Sequence, residues 1–169
     1  MRTLNEFPVT MTPMSDLLTI QDLHVHFATE EGPLHAVDGV SLSLRRGEVL
    51  GLVGESGCGK SALAMSIPRL LPTPPATLSG RVHFEGRNLT ALSEPELYRV
   101  RGRHIGVIFQ EPMTALSPLH RVGAQIDEAI RLHRRGPRAR RRSQMLEWLE
   151  KVGLPDPERS ARSWPHELS

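Results

Sequence analysis

Gly54-Glu55-Ser56-Gly57-Cys58-Gly59-Lys60-Ser61 follows the spacing G-x-x-x-x-G-K-[ST], with the flanking sequence that such a loop requires. Glu48-Val49-Leu50-Gly51-Leu52-Val53 before it reads as a short buried strand, and Ala62-Leu63-Ala64-Met65 after it reads as the start of a helix. A strand, a glycine-rich turn and a helix in that order commit this part of the chain to an α/β arrangement. The glycines allow positive φ, so the backbone N–H groups can turn inward into an anion nest at a helix N-terminus. In such a loop Lys60 reaches the β- and γ-phosphates of a nucleotide and the Ser61 hydroxyl binds Mg²⁺. Residues Gly54, Glu55, Ser56, Gly57, Cys58, Gly59, Lys60 and Ser61 are therefore the expected phosphate-binding set.

The remaining bulk properties narrow the setting. At 169 residues the chain is long enough for one domain with a core, or for part of a larger one. With 14 Gly and 14 Pro and a hydrophobic content of 38%, much of it must be loop. A formal charge of +2 is too small to imply a polyanionic partner. The single cysteine, Cys58, excludes an internal disulfide and reads as a small residue of the loop. No apolar run is long enough to span a bilayer and the N-terminus has no signal-peptide core, so a cytoplasmic protein is expected. Any membrane association would then come through a partner.

Along the chain, residues 1–13 show no periodicity and read as a disordered extension, with Met14 as the expected start of the folded region. Leu17 to Phe27 has strand character, with Leu18, Ile20, Leu23, Val25 and Phe27 facing inward. Glu30-Glu31-Gly32-Pro33 is a turn into a second strand, Leu34 to Leu44, and Arg45-Arg46-Gly47 turns the chain again. The helix after Lys60 should end or kink at Pro68, which lacks a backbone donor. Ser79 to Phe84 reads as a strand followed by the turn Glu85-Gly86-Arg87-Asn88. Glu94 to Arg101 reads as a short helix and Ile105 to Phe109 as another buried strand. Val122 to His133 and Ser143 to Val152 read as helices with apolar faces at Ile126, Ala129, Ile130 and at Met145, Leu146, Leu149, Val152.

Two further constellations have plain readings. The basic stretch from Arg131 to Arg142 lacks interleaved aromatics and any groove-binding motif, so it reads as a solvated helical face around Gly136-Pro137 and no nucleic-acid partner is expected. His24 and His26 share a strand face, but no third ligand follows at a suitable spacing, so they read as strand-surface histidines.

The blocks AVDGVSLSLRRGEVLGLVGESGCGKS (Ala36 to Ser61), IGVIFQEPMTALSP (Ile105 to Pro118) and WPHELS (Trp164 to Ser169) occur in the order seen in ATP-binding subunits of ABC transporters. The chain resembles most the oligopeptide, dipeptide and nickel importer group. The resemblance implies an α/β fold of the P-loop NTPase type, an ABC nucleotide-binding domain. It would comprise an antiparallel β subdomain, an incomplete parallel core sheet and the start of a helical subdomain. On this basis residues 14–116 are the N-terminal part of the ATP-binding core, and residues 117–169 begin the helical subdomain. The implied cofactors are ATP and Mg²⁺.

The resemblance also assigns roles. Phe27 falls where the family stacks an aromatic on adenine, although a strand phenylalanine is also an ordinary core residue. Gln110 matches the glutamine that ends a core strand, contacts Mg²⁺ or the attacking water, and couples the site to the membrane partner. The implied partners are membrane-spanning permease subunits, a second ATP-binding subunit, the same or different, and indirectly a solute-binding protein. The implied location is peripheral, at the inner face of the plasma membrane.

The family signature L-S-G-G-Q is met only as Leu168-Ser169. The resemblance places the Mg²⁺-binding aspartate, the catalytic glutamate and the switch histidine after it, so residues 1–169 alone are expected not to hydrolyse ATP. Val49 to Val53 and Ile105 to Phe109 are likewise expected to lack sheet neighbours and to make the chain prone to aggregation unless something covers them. The expected function is ATP-driven import of peptides or related small solutes. The alternatives are a catalytically incompetent nucleotide-binding remnant and an ABC-type ATPase acting on DNA.

Overall fold

The computed structural model describes residues 16–109, 115–134 and 136–168. The extension 1–13, the start at Met14, Gln110 and Ser169 lie outside the described residues. Two compact units divide the chain after Leu97.

The first unit is built on a four-stranded antiparallel sheet of order β2-β1-β3-β4, with β1 (Leu18–Thr29), β2 (Gly32–Leu44), β3 (Ala76–Phe84) and β4 (Arg87–Asn88). Ile20, Leu23 and Val25 of β1 are buried, while Leu18 and Phe27 are half-buried. Ile20 and Leu23 are three residues apart, a spacing that strict alternation would put on opposite faces. A bulge reconciles them: Asp22 takes a left-handed conformation (φ 47°), and the pairing of β1 slips there against both neighbours. The Asp22 N–H is held by Ser41 Oγ at 2.9 Å. Opposite the bulge, Gly80 sits at φ 94°, where a Cβ would come within 2.2 Å of the Asp22 carbonyl oxygen. Only glycine lets β3 approach the bulge so closely.

Helix α1 (Lys60–Ser66) buries Leu63 and Ser66 and ends at Ile67, so Pro68 stops it as expected. Asn88 caps a 3-10 turn, Leu89–Ala91, by accepting from Thr90 N at 3.1 Å. Helix α2 (Glu94–Val100) follows, opened by Ser93, whose N–H and hydroxyl both donate to Glu96 Oε2 at 2.9 and 2.6 Å.

Glu48 to Val53 and Ile105 to Phe109 lack sheet neighbours, as expected, but they form no strands, so the expected incomplete parallel core sheet is not found among the described residues. Neither segment lies in a sheet; the only parallel pairing among the described residues is a single bridge between Arg101 and Ile105. Val49 and Val53 are each 94% exposed and Ile108 is 98% exposed. The residues have strand chemistry, but strand formation needs a neighbour to accept and donate backbone hydrogen bonds.

The second unit packs α3 (Val122–His133), α4 (Arg138–Lys151), α5 (Pro157–Arg162) and a 3-10 turn, Pro165–Glu167. Its core is Val122, Met145 and Leu149, packed against Ile126, Ile130, Leu146 and Ala161 among others. Ala129 and Val152 are exposed, contrary to their expected place on the apolar faces; Val152 lies beyond the last turn of α4 as its C-cap. Arg141 is not part of a solvated face, because it donates to Asp127 of α3 through Nε at 2.7 Å and Nη2 at 3.3 Å. Helix α5 was legible from Asp156-Pro157-Glu158, an N-cap, a first-turn proline and a first-turn acid. Asp156 Oδ1 indeed accepts from Arg159 N at 2.9 Å.

Candidate functional site

The glycine-rich loop is seated on β2. Gly59 forms the N-cap of α1 at φ 91°, and its carbonyl accepts from Leu63 N at 2.9 Å. A Cβ at Gly59 would lie 2.0 Å from the Ala36 carbonyl oxygen, so glycine is required both for the left-handed turn and for contact with the strand. The loop also closes on itself: a Cβ at Gly54 would lie 2.7 Å from Cys58 Sγ, and Cys58 N donates to Glu55 O at 3.4 Å.

The Lys60 ammonium is drawn into this curl. Its Nζ donates to the carbonyls of Gly54 at 2.8 Å and Glu55 at 2.5 Å, with Cys58 Sγ at 3.5 Å. A cation is thus held by the carbonyls of a loop whose residues are largely exposed. Beneath the loop lies a cavity of about 260 Å³, lined by Val37, Asp38, Leu52, Val53, Lys60 and Leu63 among others. Ser61 follows Lys60 in the first turn of α1 and is exposed. Glu55, Ser56 and Gly57 are exposed along the loop, with Gly57 at φ 82°.

Phe27 lies on β1 between Leu34 of β2 and Ala76 of β3. It shares a strand face with Val25, whose partner Val37 comes within 3.9 Å of the Cβ position at Gly59. The sheet therefore presents Phe27 on the side where the loop is seated. Gln110, the remaining expected site residue, lies outside the described residues.

Ala36 and Asp38, which no motif marks, border this region together with the strand-surface histidines. Ala36 is the seat of Gly59, and the β1–β2 register skips it between Val37 and His35, which no residue-type signal announces. Asp38 lines the cavity and bonds His24 Nδ1 at 2.9 Å, while His24 Nε2 lies 3.1 Å from Asp22 Oδ1. The bond to Asp22 above all, with Asp38 adding to it, raises the His24 pKa above the usual histidine range. The His26 ring lies tilted against His35 at 4.1 Å and edge-on to His24 at 6.1 Å. Among the described residues no three His, Cys, Asp or Glu side chains are arranged to hold a metal ion.

Comparison with known proteins gives this loop a family. The ABC transporter family model matches residues 37–169. The chain belongs to the ABC transporter family. It is 51% identical over 159 residues to a probable peptide ABC transporter ATP-binding protein, y4tR, of Sinorhizobium fredii, covering 93% of this chain and 48% of that one. It is 42% identical over 160 residues to the oligopeptide transport ATP-binding protein OppD of Bacillus subtilis, covering 94% and 45%. The chain thus spans about half the length of the curated relatives it matches. Among solved structures it resembles the ATP-binding cassette MJ0796, in a dimeric post-hydrolysis state bound to ADP and Pi. That likeness has a TM-score of 0.77 at 28% identity, over 90% of this chain and 63% of that one. The fold is therefore that of part of an ABC P-loop nucleotide-binding domain, an antiparallel β subdomain followed by helices. Among the described residues, no helix of this ABC protein is long and apolar enough to cross a membrane.

Proposed function

We propose that this chain supplies the phosphate-binding part of an ATP-binding subunit that couples ATP binding and hydrolysis to import of peptides or related small solutes. The observation that carries the reading is the Gly54–Ser61 loop, with Lys60 Nζ held by two loop carbonyls and Gly59 pressed onto Ala36. The site's residues suit a nucleotide: Lys60 and the loop N–H groups for the phosphates, Ser61 and Gln110 for Mg²⁺, and Phe27 for the adenine face. Mg²⁺ held by these residues would neutralise phosphate charge. Lys60 would exchange carbonyl partners for phosphate oxygens, a charge-assisted bond in place of neutral acceptors.

The peptide specificity rests on the peptide, oligopeptide and dipeptide transport assigned to the relatives by name. A second ATP-binding subunit as partner is supported by the dimeric form of the MJ0796 cassette. Membrane permease subunits, a solute-binding protein and a position at the inner face of the membrane complete the proposal. Nickel compounds stand within the same proposed solute range.

Equilibrium binding of ATP with and without Mg²⁺, by the chain and by Lys60→Ala, tests the reading. Loss of the lysine should weaken Mg²⁺-ATP binding by about 2 kcal/mol or more. Equal affinity in the two proteins would remove the loop as the site.

A further inference from the structure

The helical unit contains a second concave site whose chemistry the proposed function does not use. A cavity of about 440 Å³ opens where the start of α3, the first turns of α4 and helix α5 meet. Four arginines line it, Arg121, Arg138, Arg142 and Arg162, against two carboxylates, Asp127 and Glu158. Both carboxylates are already engaged. Asp127 takes the fork of Arg141, and Glu158 takes Nη2 of Arg142.

The other arginines spend their bonds differently. Arg162 Nε donates to the Glu158 carbonyl at 3.2 Å, and Arg121 Nη1 donates to the Arg162 carbonyl at 2.9 Å. A carbonyl orients a guanidinium but neutralises none of its charge, and each guanidinium carries five N–H donors, so further donors remain. Arg121 is also held over the Trp164 ring at 5.7 Å. The carboxyl of Asp127 registers the local field. The bond from Arg141, with the nearby charges of Arg138 and Arg131, holds it below the usual carboxylate range. The first turn of α4 contributes no acidic residue. The wall is firm, since a Cβ at Gly123 would lie 2.6 Å from the Ala161 carbonyl oxygen.

We propose that this cavity binds a phosphate group, carried by a small organic phosphate or by a phospholipid headgroup, between Arg138, Arg162 and Arg121. Planar guanidinium forks match phosphate oxygens better than they match any neutral ligand. The cavity is larger than a phosphate ion needs, which leaves room for the group that carries it.

The test uses Lys60→Ala, so that the glycine-rich loop does not dominate, and inorganic pyrophosphate as the probe in calorimetry. Lys60→Ala should still bind, and affinity should fall steeply with added salt. Adding Arg138→Gln and Arg162→Gln should weaken binding at least about tenfold. Co-sedimentation with phosphatidylglycerol vesicles but not phosphatidylcholine vesicles, lost in the arginine variants, would assign the headgroup. Pyrophosphate binding without co-sedimentation would assign a free phosphate compound. Pyrophosphate affinity insensitive to salt or to the arginine substitutions, or no binding of either probe, would overturn the proposal.

Discussion

Gly59→Ala should damage this protein far more than Gly57→Ala, although both glycines lie in the same loop with left-handed φ, 91° and 82°. A left-handed conformation costs a non-glycine residue about 1–2 kcal/mol, and both variants carry that cost. At Gly57 nothing lies within 4 Å of the added Cβ. At Gly59 the Cβ would meet Ala36 O at 2.0 Å and Ala36 C at 3.1 Å, both backbone atoms of β2 that cannot rotate away. Relieving such overlap costs roughly 1–3 kcal/mol more. The expected totals are about 1–2 kcal/mol for Gly57→Ala and about 2–5 kcal/mol for Gly59→Ala, divided between lost stability and lost seating of the loop. Urea denaturation would read the first part and ATP affinity the second. Matching urea midpoints and matching affinities for the two variants would refute the argument that Gly59 is fixed by contact with Ala36.

Three further outcomes are expected. His24 has a folded pKa above its unfolded value of about 6.5, so its bonds to Asp22 and Asp38 stabilise fully below that pH and fade as pH rises through the folded pKa. The stability gap between the wild type and His24→Ala should therefore narrow on going from slightly acid to alkaline conditions, and a gap that widens would contradict the assignment. Asp127 has the opposite sign: its depressed pKa stabilises above about 3.9 and is lost as pH falls through the folded value. Asp127→Asn should cost no more than about 1 kcal/mol near neutrality, since the pair is partly exposed, with a loss that vanishes in strong acid in urea titrations. Phe27→Ala should weaken ATP binding by about 1 kcal/mol or more if a base stacks there, and leave the affinity for inorganic pyrophosphate at the loop unchanged.

The sheet was readable because β1, β2 and β3 carry alternating apolar residues, and α1 because Pro68 stops it. Local chemistry also marked the glycine-rich loop, since its glycines and lysine act on their own neighbourhood. What escaped depends on distant chain. The Asp22 bulge requires Gly80 on another strand, and the seat of Gly59 is a backbone carbonyl that leaves no trace in residue type. Val49 to Val53 shows the converse limit. Its composition is that of a buried strand, but burial and pairing are supplied by neighbours, and none pairs with it among the described residues. The α5 helix is marked by its cap residues alone, because its six residues carry no long apolar period.

Amide hydrogen exchange with and without Mg²⁺-ATP tests most directly whether the Gly54–Ser61 loop cradles nucleotide phosphates. Protection should rise at the amides of residues 57–61, whose N–H groups the phosphates would engage, and this rise should vanish in Lys60→Ala. An unchanged exchange pattern across the loop, or protection confined to other segments, would contradict that role.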